Sequence, residues 1–109
     1  MMTSQEVLAV YTTMAKLTGQ MVAAAEAGDW DRLTLLEQRC AAHTRTLKEQ
    51  EPPQPLRGAE RERKIELIRQ MLVDDRRIRD LTMPWMAQLS ALIGHTRTER
   101  RVVNAYGAV

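Results

Sequence analysis

The sequence predicts an all-α protein: an antiparallel bundle of two helices, one long helix that a proline kinks or divides, and a short C-terminal helix. Apolar residues recur at spacings of three and four along most of the 109 residues. Phe is absent and only 4% of residues are aromatic, so the core must come from aliphatic residues and Met, which suit helix packing. No stretch alternates polar and apolar residues as a half-buried strand does.

Composition limits the size and class of the protein. A chain of this length fits one domain with a modest core. Its 16 basic and 14 acidic residues leave a net charge of +2, which is too even a balance to indicate a nucleic-acid binder. No apolar N-terminal run resembles a signal peptide, and no stretch of about 18 apolar residues could cross a membrane. A cytoplasmic protein is therefore expected.

The first helix is predicted over residues 4–27 and the second over residues 30–49. Ser4 is the expected N-cap of the first helix, and the short connection makes the two helices antiparallel neighbours. Within that connection, Gly28 suits the left-handed conformation that follows a helix C-terminus. Asp29 suits the N-cap of the second helix, because its side chain can accept a hydrogen bond from a free backbone amide.

The segment EPPQP (51–55) breaks the helical pattern, because prolines lack an amide donor and bias the preceding residue away from helix. Gly58 extends this break and is expected to be an ordinary loop residue. The pattern returns in a long helix predicted over residues 59–93, in which Pro84 either kinks one helix or separates two. A short last helix is predicted over residues 97–106.

No residue pattern supports catalysis, a metal site or a cofactor, so the protein is expected not to be an enzyme. His43 and His95 lie far apart, without Cys or carboxylate neighbours at zinc-ligand spacing. Cys40, the one cysteine, lies on an apolar helical stripe, which favours a small core residue over a nucleophile. The charge run DDRRIRD (74–80) alternates in sign, which favours a solvated helix face.

The long helix carries more apolar residues than one stripe needs. Its predicted main seam consists of Ile68, Leu72, Trp85 and Leu89. Further apolar residues are predicted to lie off that seam: Leu67, Met71, Met83 and Met86. Two apolar faces indicate two packing partners. The second face could complete a wider internal core, form a homodimer, or accept an amphipathic helix of another protein.

Three segments of the chain resemble the FliT family of flagellar chaperones. These are AGDWD (27–31), EPPQP (51–55) and, above all, LSALIGHTRTERRVVNAYGAV (89–109). The most specific parts are LIG before the last helix and NAYG near the end, and the resemblance in organisation covers nearly the whole chain. FliT-like proteins are small all-helical chaperones of the bacterial flagellar type III export system.

The resemblance implies a function in flagellar assembly. The protein would bind the C-terminal region of the filament cap protein in the cytoplasm, prevent its premature assembly and deliver it to the export apparatus. Further implied partners are the export ATPase and its partner, the export-gate membrane protein and, in some bacteria, the flagellar master transcription regulator, which the family restrains. No direct nucleic-acid contact and no membrane insertion are expected.

Members of the family bind their client proteins through the long helix. The resemblance therefore implies a cargo site on one face of that helix, formed by Ile68, Leu72, Leu81, Trp85 and Leu89. The last helix is expected to act as a regulatory flap over this surface. The tyrosine of NAYG is associated with docking to the export gate, which carries over to Tyr106 with Asn104 and Ala105 as neighbours. Packing of Tyr106 onto the long helix is the alternative. The alternative function is a structural homodimeric bundle or a general protein-interaction adaptor.

Overall fold

The computed structural model describes residues 2–51 and 55–93, and within these ranges it contains three helices and no strand. The helices are α1 (Ser4–Glu26), α2 (Trp30–Gln50) and α3 (Gly58–Ile93). The prediction of an all-α fold is confirmed. The short helix predicted over residues 97–106 lies outside the described residues. α3 continues through Pro84 as a single helix, so Pro84 does not separate two helices.

Thr3, and not Ser4, is the N-cap of α1. The Thr3 hydroxyl accepts a hydrogen bond from the Glu6 backbone amide at 3.1 Å, and the Glu6 carboxylate accepts one from the Thr3 amide at 3.1 Å. This reciprocal pair is a capping box, which requires Glu or Gln three positions after the cap. Ser4 was the wrong choice because Glu6 stands only two positions after it. The hydrogen bond with the Thr3 backbone lowers the pKa of the Glu6 carboxyl.

The corner between α1 and α2 has the predicted conformation. Gly28 has a φ of +71°, which confirms the left-handed conformation expected of it. The Asp29 carboxylate accepts a hydrogen bond from the Arg32 amide at 3.2 Å and so caps α2. The Asp29 amide donates to the carbonyl of Ala24 at 2.9 Å, which holds the corner against the end of α1.

Gly58 is a second left-handed glycine, with a φ of +61°, so the expectation of an ordinary loop residue was wrong. It is the first residue of α3, where the chain must turn sharply to enter the helix. A Cβ atom at Gly58 or at Gly28 would meet no atom within 4 Å. The backbone conformation, and not a lack of space, is therefore what favours glycine at both positions.

α1 packs against both other helices, and the contacts at the two ends of α3 show that it runs in the same direction as α1. Near the start of α3, the Lys64 ammonium lies 2.9 Å from the Glu51 carboxylate and 5.1 Å from the centre of the Tyr11 ring. The hydrogen bond with Glu51 raises the pKa of Lys64. Near the other end, Trp85 stacks on Trp30 at the corner. Since a helix rises about 1.5 Å per residue, α3 extends roughly 12 Å beyond this stack.

Most buried apolar residues in the described part of the chain form two clusters along the bundle. The cluster nearer the corner contains Leu17, Met21, Ala24, Ala25, Leu33, Leu36 and Ile78. The other contains Val7, Met14 and Leu47. Among the described residues two threonines are also buried, and both have hydrogen-bond partners. The Thr18 hydroxyl lies 2.8 Å from the Asp74 carboxylate, which joins α1 to α3, and the Thr82 hydroxyl donates to the Arg79 carbonyl at 3.3 Å.

We expect Gly28→Val to lower the free energy of unfolding by about 1–3 kcal/mol, because a β-branched residue is strained at a positive φ. Gly19→Ala is the matched control. Gly19 lies inside α1 with open space around it and no positive φ, so alanine there should stabilise the protein by about 0.5–1 kcal/mol. Urea denaturation of both variants gives the two values. Equal effects of the same sign would contradict the assigned corner.

Candidate functional site

One face of α3 is buried against the helical hairpin formed by α1 and α2. Leu67 and Ile78 are buried, and Met71 and Leu81 pack against the two core clusters. Trp85 completes this face by stacking on Trp30 of α2, with ring centres 4.5 Å apart and ring planes 28° apart. This face therefore sets how α3 is rotated on the hairpin.

A second face of α3, turned by roughly 120° from the buried one, is also apolar, and the described residues leave its middle open to solvent. Leu72 is 64% exposed and Met83 is 58% exposed. Half-buried apolar residues continue the same face in both directions. We call this face the outer stripe; it consists of Ile65, Ile68, Leu72, Met83 and Met86.

A charged segment interrupts the outer stripe at its middle. Four charged side chains line an open groove together with Leu72, Val73 and Met83: Asp75, Arg76, Arg79 and Asp80. The Arg79 guanidinium lies 3.1 Å from the Asp75 carboxylate, and both side chains are more than half exposed. Exposed ion pairs within one helix contribute little to stability. These charges therefore remain available to a partner.

The five residues predicted as the cargo site do not share one face of α3. Ile68 and Leu72 lie on the outer stripe. Leu81 packs against the core cluster near the corner, and Trp85 stacks on Trp30. Leu89 is half-buried on the part of α3 that extends beyond the corner. A single partner surface on α3 can therefore include Ile68 and Leu72 without rearrangement of the bundle, but not Trp85.

The predicted seam was wrong because it crossed from one face of α3 to the other. It passed from Leu72 to Trp85, a step of thirteen residues. Thirteen residues turn a helix by about 1300°, which is roughly 140° short of four full turns. Leu67 and Met71, which the sequence analysis placed off the seam, are in fact on the buried face. The signal that separates the faces is the seven-residue repeat of Met71, Ile78 and Trp85.

Other chemically notable residues do not form a reactive site in the part of the chain that the structure describes. Cys40 is half-buried, and burial raises the pKa of its thiol, so it is protonated and a poor nucleophile at neutral pH. No group of three or more His, Cys, Asp or Glu residues in residues 2–51 and 55–93 could hold a metal ion. None of the three described helices is long and apolar enough to span a membrane. The predicted gate-binding residues Asn104, Ala105 and Tyr106 lie outside the described residues.

Comparison with known proteins identifies the family to which this chain is similar. The family model described as flagellar protein FliT matches residues 8–108. Among solved structures, the crystal structure of flagellar protein FliT from Bordetella bronchiseptica is similar, with 39% sequence identity and a TM-score of 0.73. That match covers 80% of this chain and 98% of the Bordetella chain. A comparison with curated proteins gave no significant match. Because the family model spans nearly the whole chain and the Bordetella protein is similar to it in both fold and sequence, the chain belongs to the FliT family of flagellar proteins.

Proposed function

We propose that this member of a flagellar export chaperone family binds the C-terminal region of the filament cap protein in the cytoplasm. By covering that region it keeps the cap protein from assembling early, and it delivers the cap protein to the type III export apparatus. The observation that carries the proposal is the outer stripe of α3, an exposed apolar surface on a small helical protein of this family. Exposed patches of this kind commonly mark protein-interaction sites.

The geometry of the outer stripe suits an amphipathic client helix. Leu72 and Met83 stand eleven residues apart, which is about 16 Å or three helical turns. A client helix lying along α3 can place apolar side chains against both ends of this span. Met83 and Met86 can adapt to the client because methionine side chains are flexible and polarizable. The charges between the two ends would fix the orientation of the client more than its affinity.

We assign delivery of the cap protein to the C-terminal segment of the chain. A tyrosine can bury its ring and still offer its hydroxyl, so Tyr106 is suited to anchor an interface. In our proposal it docks to the cytoplasmic domain of the export-gate membrane protein, with Asn104 and Ala105 as neighbours. The region after Gly94 acts as a flap that competes for the binding surface. The export ATPase, its partner and the master transcription regulator are further proposed partners, the last held by sequestration without DNA contact.

We expect Ile68→Ala with Leu72→Ala to weaken binding of the cap-protein C-terminal segment by at least about tenfold, because both anchors of the outer stripe lose their contact area. Calorimetric titration with the purified segment measures this change. Both residues lie outside the core, so the double variant should remain helical by circular dichroism.

Leu35→Ala is the matched control for this experiment. Leu35 is also an exposed leucine, 48% accessible, but it lies on α2 and not on the outer stripe. Its substitution should leave the affinity unchanged.

Trp85→Ala should instead lower the stability of the protein, because it removes the stack with Trp30. If the Ile68 and Leu72 double variant binds the segment with unchanged affinity, the client does not bind at the outer stripe.

Tyr106→Ala should abolish binding of the export-gate cytoplasmic domain and spare binding of the cap segment. Removal of all residues after Gly94 should instead raise affinity for the client or the export ATPase, because the competing flap is absent. Paired pull-downs of both variants against both partners measure these effects, and Tyr106→Phe, which keeps the ring, is the control. If Tyr106→Ala loses both partners together with helicity, Tyr106 is a packing residue.

A further inference from the structure

The methionines of this chain differ widely in exposure, and exposure decides which thioether an oxidant in solution reaches. Six methionines lie in the described residues, and among them Met83 is the exposed one, at 58%. Met14 and Met21 are buried in the two core clusters, at 5% and 6%. The other three are half-buried: Met2, Met71 and Met86. Of these six thioethers, that of Met83 is therefore the most open to oxidation.

Cys40, the other sulfur-containing residue that oxidants attack, is poorly placed to compete with Met83. It is half-buried and packs against both core clusters. Burial raises the pKa of its thiol, so little of the thiolate that reacts with peroxide is present at neutral pH. The chain has no second cysteine with which an oxidised Cys40 could form an internal disulfide. We therefore expect reversible oxidation of this protein at methionine.

Met83 occupies one end of the exposed part of the outer stripe. It lines an open groove together with Leu72, Arg76 and Arg79. Its thioether is apolar and flexible, which suits the apolar side chains of a client. A sulfoxide oxygen accepts hydrogen bonds from water, and a client that covers it removes those bonds. One added oxygen atom at Met83 thus makes one end of the stripe polar and leaves Leu72, at the other end, unchanged.

We propose that Met83 is a site of reversible oxidation by peroxide, and that its sulfoxide weakens docking of the client on the outer stripe. The thioether sulfur attacks one oxygen of hydrogen peroxide, an S–O bond forms as the O–O bond breaks, and the second oxygen leaves as water. Sulfur is oxidised and the peroxide is reduced. A methionine sulfoxide reductase restores the thioether at the expense of a pair of thiols, which become a disulfide while the oxygen leaves as water.

The site of oxidation is independent of the client, whereas the effect on docking rests on the proposed function. Each part has its own measurement.

Peptide mass spectrometry of the full chain after brief treatment with hydrogen peroxide tests the site. Met83 should gain an oxygen atom at least about tenfold faster than Met14 and Met21, because a buried side chain reacts only during local opening. The dose is kept in the range where circular dichroism matches that of the untreated protein. Equal rates at Met83 and at the two buried methionines would overturn the proposal.

Calorimetric titration with the cap-protein C-terminal segment tests the effect on docking, after the peroxide has been removed so that the segment itself is not oxidised. Oxidation should weaken binding by about fivefold or more, because the sulfoxide loses its water when the client covers it. Treatment with a methionine sulfoxide reductase should restore the affinity. Met83→Gln, a polar side chain of similar length, should bind weakly without any peroxide.

Met83→Leu keeps an apolar side chain but has no sulfur to oxidise, so it should bind as the untreated wild type does and keep that affinity after peroxide. Met86→Leu is the matched control, because it removes a half-buried methionine of the same stripe and should leave the peroxide effect intact. An oxidised wild type with unchanged affinity, or a Met83→Leu variant that loses affinity after peroxide, would overturn the proposal.

A wild type that fails to bind the segment before any treatment contradicts the proposed function instead. The oxidation rates need no client, so they then decide whether Met83 is the oxidised site.

Discussion

The stacking of Trp30 on Trp85 determines how the long helix sits on the hairpin. The two rings join the start of α2 to α3 at the corner, with their centres 4.5 Å apart. Trp85 shares a face with Ile78, which is buried, so the stack sets the rotation of α3 as well as its height. At the far end, the contact of Lys64 with Glu51 holds the helix at a second point. With both ends held, the outer stripe must face away from the hairpin.

This arrangement explains how a small protein can expose a large apolar surface and still fold. The residues that face the hairpin supply the core, and Thr18 with Asp74 adds a polar contact between α1 and α3. The outer stripe is not needed for that core, and among the described residues Leu72 and Met83 remain exposed on it. In our proposal a client helix covers these residues.

Features that depend on neighbouring residues were predictable from the sequence. The left-handed conformation of Gly28 and the N-cap role of Asp29 could be predicted, because both depend only on the few residues of the corner itself. The rotation of α3 was not predictable in this way. Leu72 and Ile78 each belong to an apolar series along α3, and contact with the hairpin shows which of the two series is buried. Gly58 was missed for a similar reason, since its conformation depends on how the chain enters α3.

The rotation of α3 can be measured directly through the reactivity of introduced thiols. In a Cys40→Ala background, Leu72→Cys and Leu67→Cys are the same substitution on opposite faces of one helix. At dilute concentration Leu72→Cys should react with a maleimide as an exposed thiol does. Leu67→Cys should react at least about tenfold more slowly, because a buried thiol is reached only during local opening. Equal rates at the two positions, or a faster reaction at position 67, would contradict the account.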